Sequence, residues 1–240
     1  MKFLSDNLLY IFLAILIAFA TADIVSQPQT PKNIAAEIKK QKKKITKKIA
    51  KISDKKREFC ELVVPIVDKV HSELETKFDE ISKNLQNEEY KEEISELKKK
   101  YKVQTDEELL MALKPHPKSI AIAQAAIESA WATSRFFKEG KNIFGVWSYN
   151  KNEPRIAASK TRGTKTIWLK KYNNIEDSIR DYYITLARSR SFKGFRQLKM
   201  KTEDPYKLVK KLDHYSELRG VYTKELSSMI RYNKFYKYDY

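Results

Sequence analysis

Residues 121–137, AIAQAAIESAWATSRFF, constrain this chain more than any other stretch. Six alanines, two isoleucines, a tryptophan and two phenylalanines surround one carboxylate, Glu128. With no Gly or Pro, the run predicts a helix apolar on nearly every face, and therefore buried. An ionised carboxylate is costly to bury unless it is paired, protonated or engaged in chemistry. On a helix Gln124 and Glu128 share a face, Trp131 and Ala132 continue it, and Ser134 and Arg135 follow about two turns on. Two readings of Glu128 follow. If it faces a cleft from a low-dielectric helix, its pKa rises, and a carboxyl that keeps its proton near neutral pH can protonate a glycosidic leaving oxygen. If Arg135 or backbone groups satisfy it, it is a structural residue.

Composition narrows the class. The 240 residues include 33% charged residues but only 5 Gly and 7 Pro, which fits a mainly helical chain of one large domain or a domain with an appendage. The net charge of +17 is uneven: +10 over residues 39–57, −6 over 58–117 and +14 over 118–240. The basic ends point to an anionic partner, whether nucleic acid, a membrane surface or an anionic wall polymer. Lys2, an apolar run of 13 residues from Leu8 to Ala20, and the small-x-small site Ala20-Thr21-Ala22 read as a secretory signal peptide at 1–22, with an uncleaved anchor as the alternative. Export weighs against nucleic acid. The single Cys60 cannot form an internal disulfide, lies too far from the apolar run for lipid attachment, and reads as a small buried helix residue.

Residues 23–55 are a Pro-containing linker and a lysine-rich helix starting near Ile34. Ile38, Ile45 and Ile52 recur at seven with Ile49 between them, as in a short coiled-coil seam. The lysine face of 39–57 is otherwise a solvated surface or a peripheral contact with anionic lipid. Residues 56–115 form a helical region, with Phe59, Val63, Ile66, Val70, Leu74 and Phe78 on one buried face and Pro65 kinking the helix or starting a new one. Thr105-Asp106-Glu107-Glu108 is a helix start. His71 has no second metal ligand at a useful spacing, and no metal or cofactor is expected. In 116–240 a hairpin is expected from Arg155–Ala158 and Lys165–Tyr172, then helices at about 175–190, 205–212 and 221–232.

Two motifs carry a resemblance. Q-A-x-x-E-S-x-W-x-x-S-R-F over Gln124–Phe136, followed by N-x-F-G-x-W over Asn142–Trp147, resembles the glucosaminidase-domain family of peptidoglycan hydrolases (glycoside hydrolase family 73 type), with its Bax-like branch the nearest. The likeness extends through Asp177–Leu186 and Leu212–Ile230. It implies a lysozyme-like fold: helices in two lobes, a small β-hairpin lobe, and a groove between them. It also implies hydrolysis of the β-1,4 bond between N-acetylglucosamine and N-acetylmuramic acid in glycan strands, in the periplasm or cell envelope, by a monomer. By the resemblance Glu128 is the general acid and Tyr215 an active-site tyrosine, with Tyr222 a following aromatic. Gln124, Trp131, Ser134, Arg135, Asn142, Phe144, Trp147, Tyr182 and Tyr222 are the substrate-binding candidates. Of the aromatics, Phe144 is assigned rather to the core, and Trp147 and Tyr182 to the groove.

The chain departs from the family at two points. Glycines usually flank the family's tryptophan, where this chain has Ala130 and Ala132, residues better suited to a helix. Some members also place a second glutamate after the F-G motif, but the only carboxylate here between Gly140 and Asn174 is Glu153, read as surface. A two-carboxylate mechanism needs a partner roughly 5–10 Å away. Without one, the substrate's N-acetyl group serves as nucleophile, with Glu128 as acid and then base. The competing readings are a lytic transglycosylase, a non-catalytic wall-binding protein, and an exported basic protein acting through 39–57.

Overall fold

The computed structural model describes residues 31–162 and 165–240. The expected signal segment and the start of the linker lie outside those residues. The chain divides into two compact units, one ending at Asp54 and the other spanning Lys55–Tyr240. Helix α1, Pro31–Lys83, contributes to both. In the first unit Ile38, Ile49 and Ile52 stand exposed among the lysines, so the spaced isoleucines bury no seam among the described residues. Among the described residues no helix is long and apolar enough to cross a membrane.

The second unit begins within α1. Pro65 lies inside this helix and does not end it, so no new helix starts there. An interior proline removes one hydrogen bond and crowds the carbonyl four residues back. Burial of Phe59, Val63, Val67 and Val70 on one face holds the helix across that defect. Helices α2 (Lys91–Tyr101) and α3 (Asp106–Leu113) follow. Thr105 caps α3 by accepting the Glu108 N–H at 3.1 Å, and the Glu108 carboxylate takes the Gln104 N–H at 3.2 Å, so each end of the turn satisfies the other. Ile94, Tyr101, Leu109 and Leu113 pack with Ile81 and Ala187 in a small satellite core.

The main core surrounds α4, Lys118–Glu128, whose residues Ser119 to Ala126 are all buried. It packs against α1, against α6 (Ile175–Arg188), against α9 (Gly220–Tyr232) and against the C-terminal turn at Phe235–Tyr238. Between them in sequence come the short helices α5 (Arg135–Gly140), α7 (Lys193–Lys199) and α8 (Pro205–Leu208). Strands β1 (Arg155–Arg162) and β2 (Lys165–Lys170) form an antiparallel hairpin, with Arg155 opposite Lys170 and Ala157 opposite Trp168. Trp147 adds a single bridge to Leu169, so the N-x-F-G-x-W segment runs beside the hairpin. Among the described residues the architecture is mainly helical with one small β-hairpin, as the sequence predicts.

Candidate active site

The apolar run does not continue as one helix to residue 137. Helix α4 ends at Glu128, and the next residues turn left-handed: Ala130, Trp131 and Ala132 have φ of 51°, 63° and 58°. A Cβ makes this conformation cost about 1–2 kcal/mol per residue. Ser129 holds the turn. Its Oγ donates to Ala125 O at 2.6 Å and accepts the Ala132 N–H at 2.7 Å, while Trp131 N–H reaches Ala126 O at 2.9 Å. The Trp131 ring stands edge-on to Phe59 at 5.2 Å, with the Lys56 ammonium 4.9 Å from its centre. The two alanines therefore occupy positions that glycine would fill without strain, and the helical advantage expected of them does not apply.

This break leaves Glu128 at the C-terminal end of a rigid helix, half-buried, on the wall of an open cleft of about 700 Å³. Phe144, Gly145, Trp147, Lys170 and Tyr215 share that wall. Gly145 has φ of 66°, a conformation that suits a residue without Cβ at this turn. Trp147 is 41% exposed and Tyr149, two residues on, 85% exposed, with ring centroids 6.3 Å apart. A larger cavity of about 880 Å³ lies between α1, the 114–117 loop and the C-terminus, and none of the candidate residues lines it.

A relay of three side chains fixes the carboxyl. Tyr182 Oη donates to Gln124 Oε1 at 2.7 Å, and Gln124 Nε2 donates to Tyr222 Oη at 2.9 Å. Tyr222 Oη in turn donates to Glu128 Oε1 at 3.0 Å. Each member satisfies the next, so Tyr182, Gln124 and Tyr222 are buried with hydrogen-bond partners. The partner of Glu128 is thus a neutral hydroxyl and not Arg135. Burial pushes the Glu128 carboxyl up to about 7; the Tyr222 hydrogen bond opposes this and the charge of Glu225 adds to it. Tyr215 stacks on Tyr222 with centroids 5.7 Å apart and planes 9° from parallel. Burial, and then the neighbouring Glu128 charge, holds the Tyr215 hydroxyl well above the ordinary tyrosine range, so it stays a neutral donor.

The remaining candidates take supporting places. Tyr182 is 1% exposed and stacks on Phe144 at 3.9 Å, so it lies in the core beneath the cleft and not in the groove. Phe144 is also buried, as expected, although one edge reaches the cleft wall. Buried Asn142 ties the F-G turn to the hairpin: its Nδ2 donates to Val146 O at 3.0 Å and Lys170 O at 2.9 Å, and its Oδ1 accepts the Val146 N–H. Trp131 packs against Phe59 of α1 and is not among the residues that line the cleft, where the motif had it. Ser134 caps α5 by accepting the Phe137 N–H, and Arg135 pairs with Glu139 and donates to Ala157 O. Glu153 accepts from Ser148 Oγ at 2.7 Å in the turn ahead of β1.

Residues 213–219 supply cleft groups that the motifs do not reveal: His214, Glu217 and Arg219. Their nearest signal is adjacency to Tyr215. Tyr149 had a clearer one, since in extended chain it points to the same side as Trp147.

The sequence profile of the glucosaminidase family, described as mannosyl-glycoprotein endo-beta-N-acetylglucosaminidase, matches residues 104–235. The chain belongs to this family. It is a glycoside hydrolase, and the lysozyme-like architecture expected from the motifs goes with that membership. No curated protein matches the chain. Among solved structures it resembles the catalytic domain of the autolysin Auto from Listeria monocytogenes, at 22% identity and TM-score 0.43, over 69% of this chain and 87% of that one. It also resembles a C-terminally truncated glycoside hydrolase domain of FlgJ from Salmonella typhimurium, at 20% identity and TM-score 0.39, over 50% and 84% of the two chains. A peptidoglycan hydrolase from Sphingomonas sp. A1 aligns at 18% identity and TM-score 0.41, over 60% and 85%.

Proposed function

We propose that this glucosaminidase-family protein cleaves peptidoglycan glycan strands at the β-1,4 bond following N-acetylglucosamine, with Glu128 as general acid. The observation that carries this reading is the Glu128 carboxyl on the wall of an open cleft, raised to about 7 and hydrogen-bonded by a neutral tyrosine. A carboxyl with that pKa is substantially protonated at neutral pH and is still a competent base once ionised.

In the reaction, Glu128 gives its proton to the glycosidic oxygen as the C1–O bond breaks. The substrate's acetamido oxygen attacks C1 and forms a cyclic oxazolinium. The Glu128 carboxylate then takes a proton from the water that adds to C1, which reopens the ring and restores the acid. Retention of configuration follows. Tyr215, neutral and stacked on Tyr222, is the hydroxyl assigned to orient the acetamido group. Glu153 has no part in this scheme. Trp147 and Tyr149 offer exposed faces for sugar rings. The apolar run from Leu8 to Ala20 supports export, with this work in the cell envelope, and the lysines of 39–57 suit an anionic surface there.

The test is mass spectrometry of fragments released from purified peptidoglycan by the wild type and by Glu128→Gln. Reducing-end N-acetylglucosamine from the wild type, and no release from the variant, is the expected result. Anhydro-muramyl ends would replace this reading with a lytic transglycosylase, and full release by Glu128→Gln would remove Glu128 from catalysis.

A further inference from the structure

The loop ahead of α9 carries a feature that the reaction above does not use. Arg219 has φ of 44° and ψ of −114°, angles that a residue with a side chain rarely adopts. Gly220, which could take such angles freely, is the very next residue. The conformation is held by hydrogen bonds around it: Arg219 N–H to Ser216 O at 3.0 Å, Leu218 N–H to Ser216 Oγ at 3.2 Å, and Thr223 N–H to Arg219 O at 3.1 Å. Backbone strain persists where the surrounding structure over-determines it, and it concentrates at binding and catalytic sites.

The arginine side chain lines the same cleft as Glu128. One of its guanidinium nitrogens lies 3.5 Å from Nδ1 of His214, which shares the lining and orients the group. Lys170 also reaches this wall, but its ammonium is committed to Asp181 at 2.8 Å, whose carboxylate also takes the Tyr172 hydroxyl at 2.6 Å. Glu217 brings a carboxylate to the same rim, so the rim is not a uniformly positive field. An anionic ligand group is favoured where it meets the guanidinium itself. That planar fork of donors matches a carboxylate, whereas a sugar hydroxyl makes no comparable demand on it.

We propose that Arg219 is a specificity-determining residue that binds a carboxylate borne by the glycan strand, so that the cleft selects acid-bearing strands over neutral N-acetylated glycan. This rests on the glycan-hydrolysis reading above. The carboxylates in question are those of the lactyl ether and of the stem peptides.

The experiment compares kcat/KM on purified peptidoglycan with kcat/KM on the same polymer after its carboxylates are converted to neutral amides. The glycan and the scissile bond are then identical and only the charge differs. The wild type is expected to prefer the untreated polymer about tenfold, the order expected for one charge-assisted contact in a solvent-exposed cleft. In Arg219→Gly, where glycine accepts the backbone angles without strain, the two polymers should become equal substrates. Arg219→Lys should keep part of the preference, and added salt should weaken that part more than it weakens the wild type's. A wild type without preference, or an Arg219→Gly variant that keeps it, overturns the proposal while leaving hydrolysis intact. A wild type that cleaves neither polymer overturns the hydrolase reading itself, and this inference with it.

Discussion

Tyr222 Oη lies 3.0 Å from Glu128 Oε1 and donates its hydrogen bond to it, while accepting one from Gln124 Nε2 at 2.9 Å. The bond to Glu128 favours the ionised carboxylate. Burial favours the protonated form and wins, leaving the group at about 7. Because the acid must hold its proton to act, kcat/KM should fall as pH rises through about 7. Tyr222→Phe removes the opposing bond and should move that fall to higher pH. It should also cost about 1–3 kcal/mol of stability, since Gln124 Nε2 loses its acceptor. Paired pH–rate profiles check the direction; a fall moved to lower pH would contradict the assignment.

Glu128 also has a stability signature. Its folded value of about 7 exceeds the ordinary 4.5, so between those values the folded state binds more protons than the unfolded one. The contribution of the protonated group is complete below 4.5, is lost as pH rises toward 7, and stays lost above it. Glu128→Gln carries no such penalty. At pH 8 it should be more stable than the wild type by on the order of 2 kcal/mol in equilibrium denaturation, although inactive. A variant less stable than the wild type at pH 8 would show that the carboxylate is compensated in a way this geometry does not contain.

The left-handed turn after Glu128 predicts an unusual gain. Ala130→Gly and Ala132→Gly should each raise stability by about 1 kcal/mol, because relief of the positive-φ strain exceeds the added entropy of the unfolded chain. Glycine in a helix interior would instead cost about 1 kcal/mol. Thermal melts of the two variants therefore separate the turn from a continuous helix by sign alone.

Phe59 is fully buried against the same core as α4 and meets Trp131 edge-on. Phe59→Ala should cost about 3–5 kcal/mol. Residues 55–83 are thus part of the folded unit and not a cover laid over the groove. Removing them should yield an unfolded protein, and a soluble, active fragment lacking them would refute this.

Tyr215→Phe keeps the stacked ring and removes the hydroxyl. It should lower kcat on the order of 100-fold, the usual scale for one lost donor at a developing charge. Glu153→Gln, at a carboxylate tied to Ser148, should stay within about twofold of the wild type. A reversed ranking in single-turnover assays would return the mechanism to two carboxylates.

Much of this was legible in the residues. The helix at Ile175–Arg188, the start capped by Thr105 and the hairpin at 155–170 each follow from local periodicity or capping. Glu128 stood out because an acid in an apolar run needs a reason. The roles of its neighbours were not legible. Gln124 and Tyr182 face each other across 58 residues and Tyr222 lies 94 residues from Glu128, so no local pattern could join them. Trp131 and Arg135 were placed by helical spacing, and the break at Ser129 turned both away.

The sequence by itself determined which segments are helical, which face of α1 is greasy, and that Glu128 is the acid to watch, because these depend on residue type and short-range periodicity. Only the tertiary structure decided that α4 stops at Glu128. Alanine's local preference for helix is worth a fraction of a kcal/mol per residue, and burial of Trp131 against Phe59, with Ser129 closing the turn, outweighs it. The same packing gives Glu128 a neutral tyrosine for a partner in place of an arginine, and so sets the proton affinity on which the proposed chemistry depends.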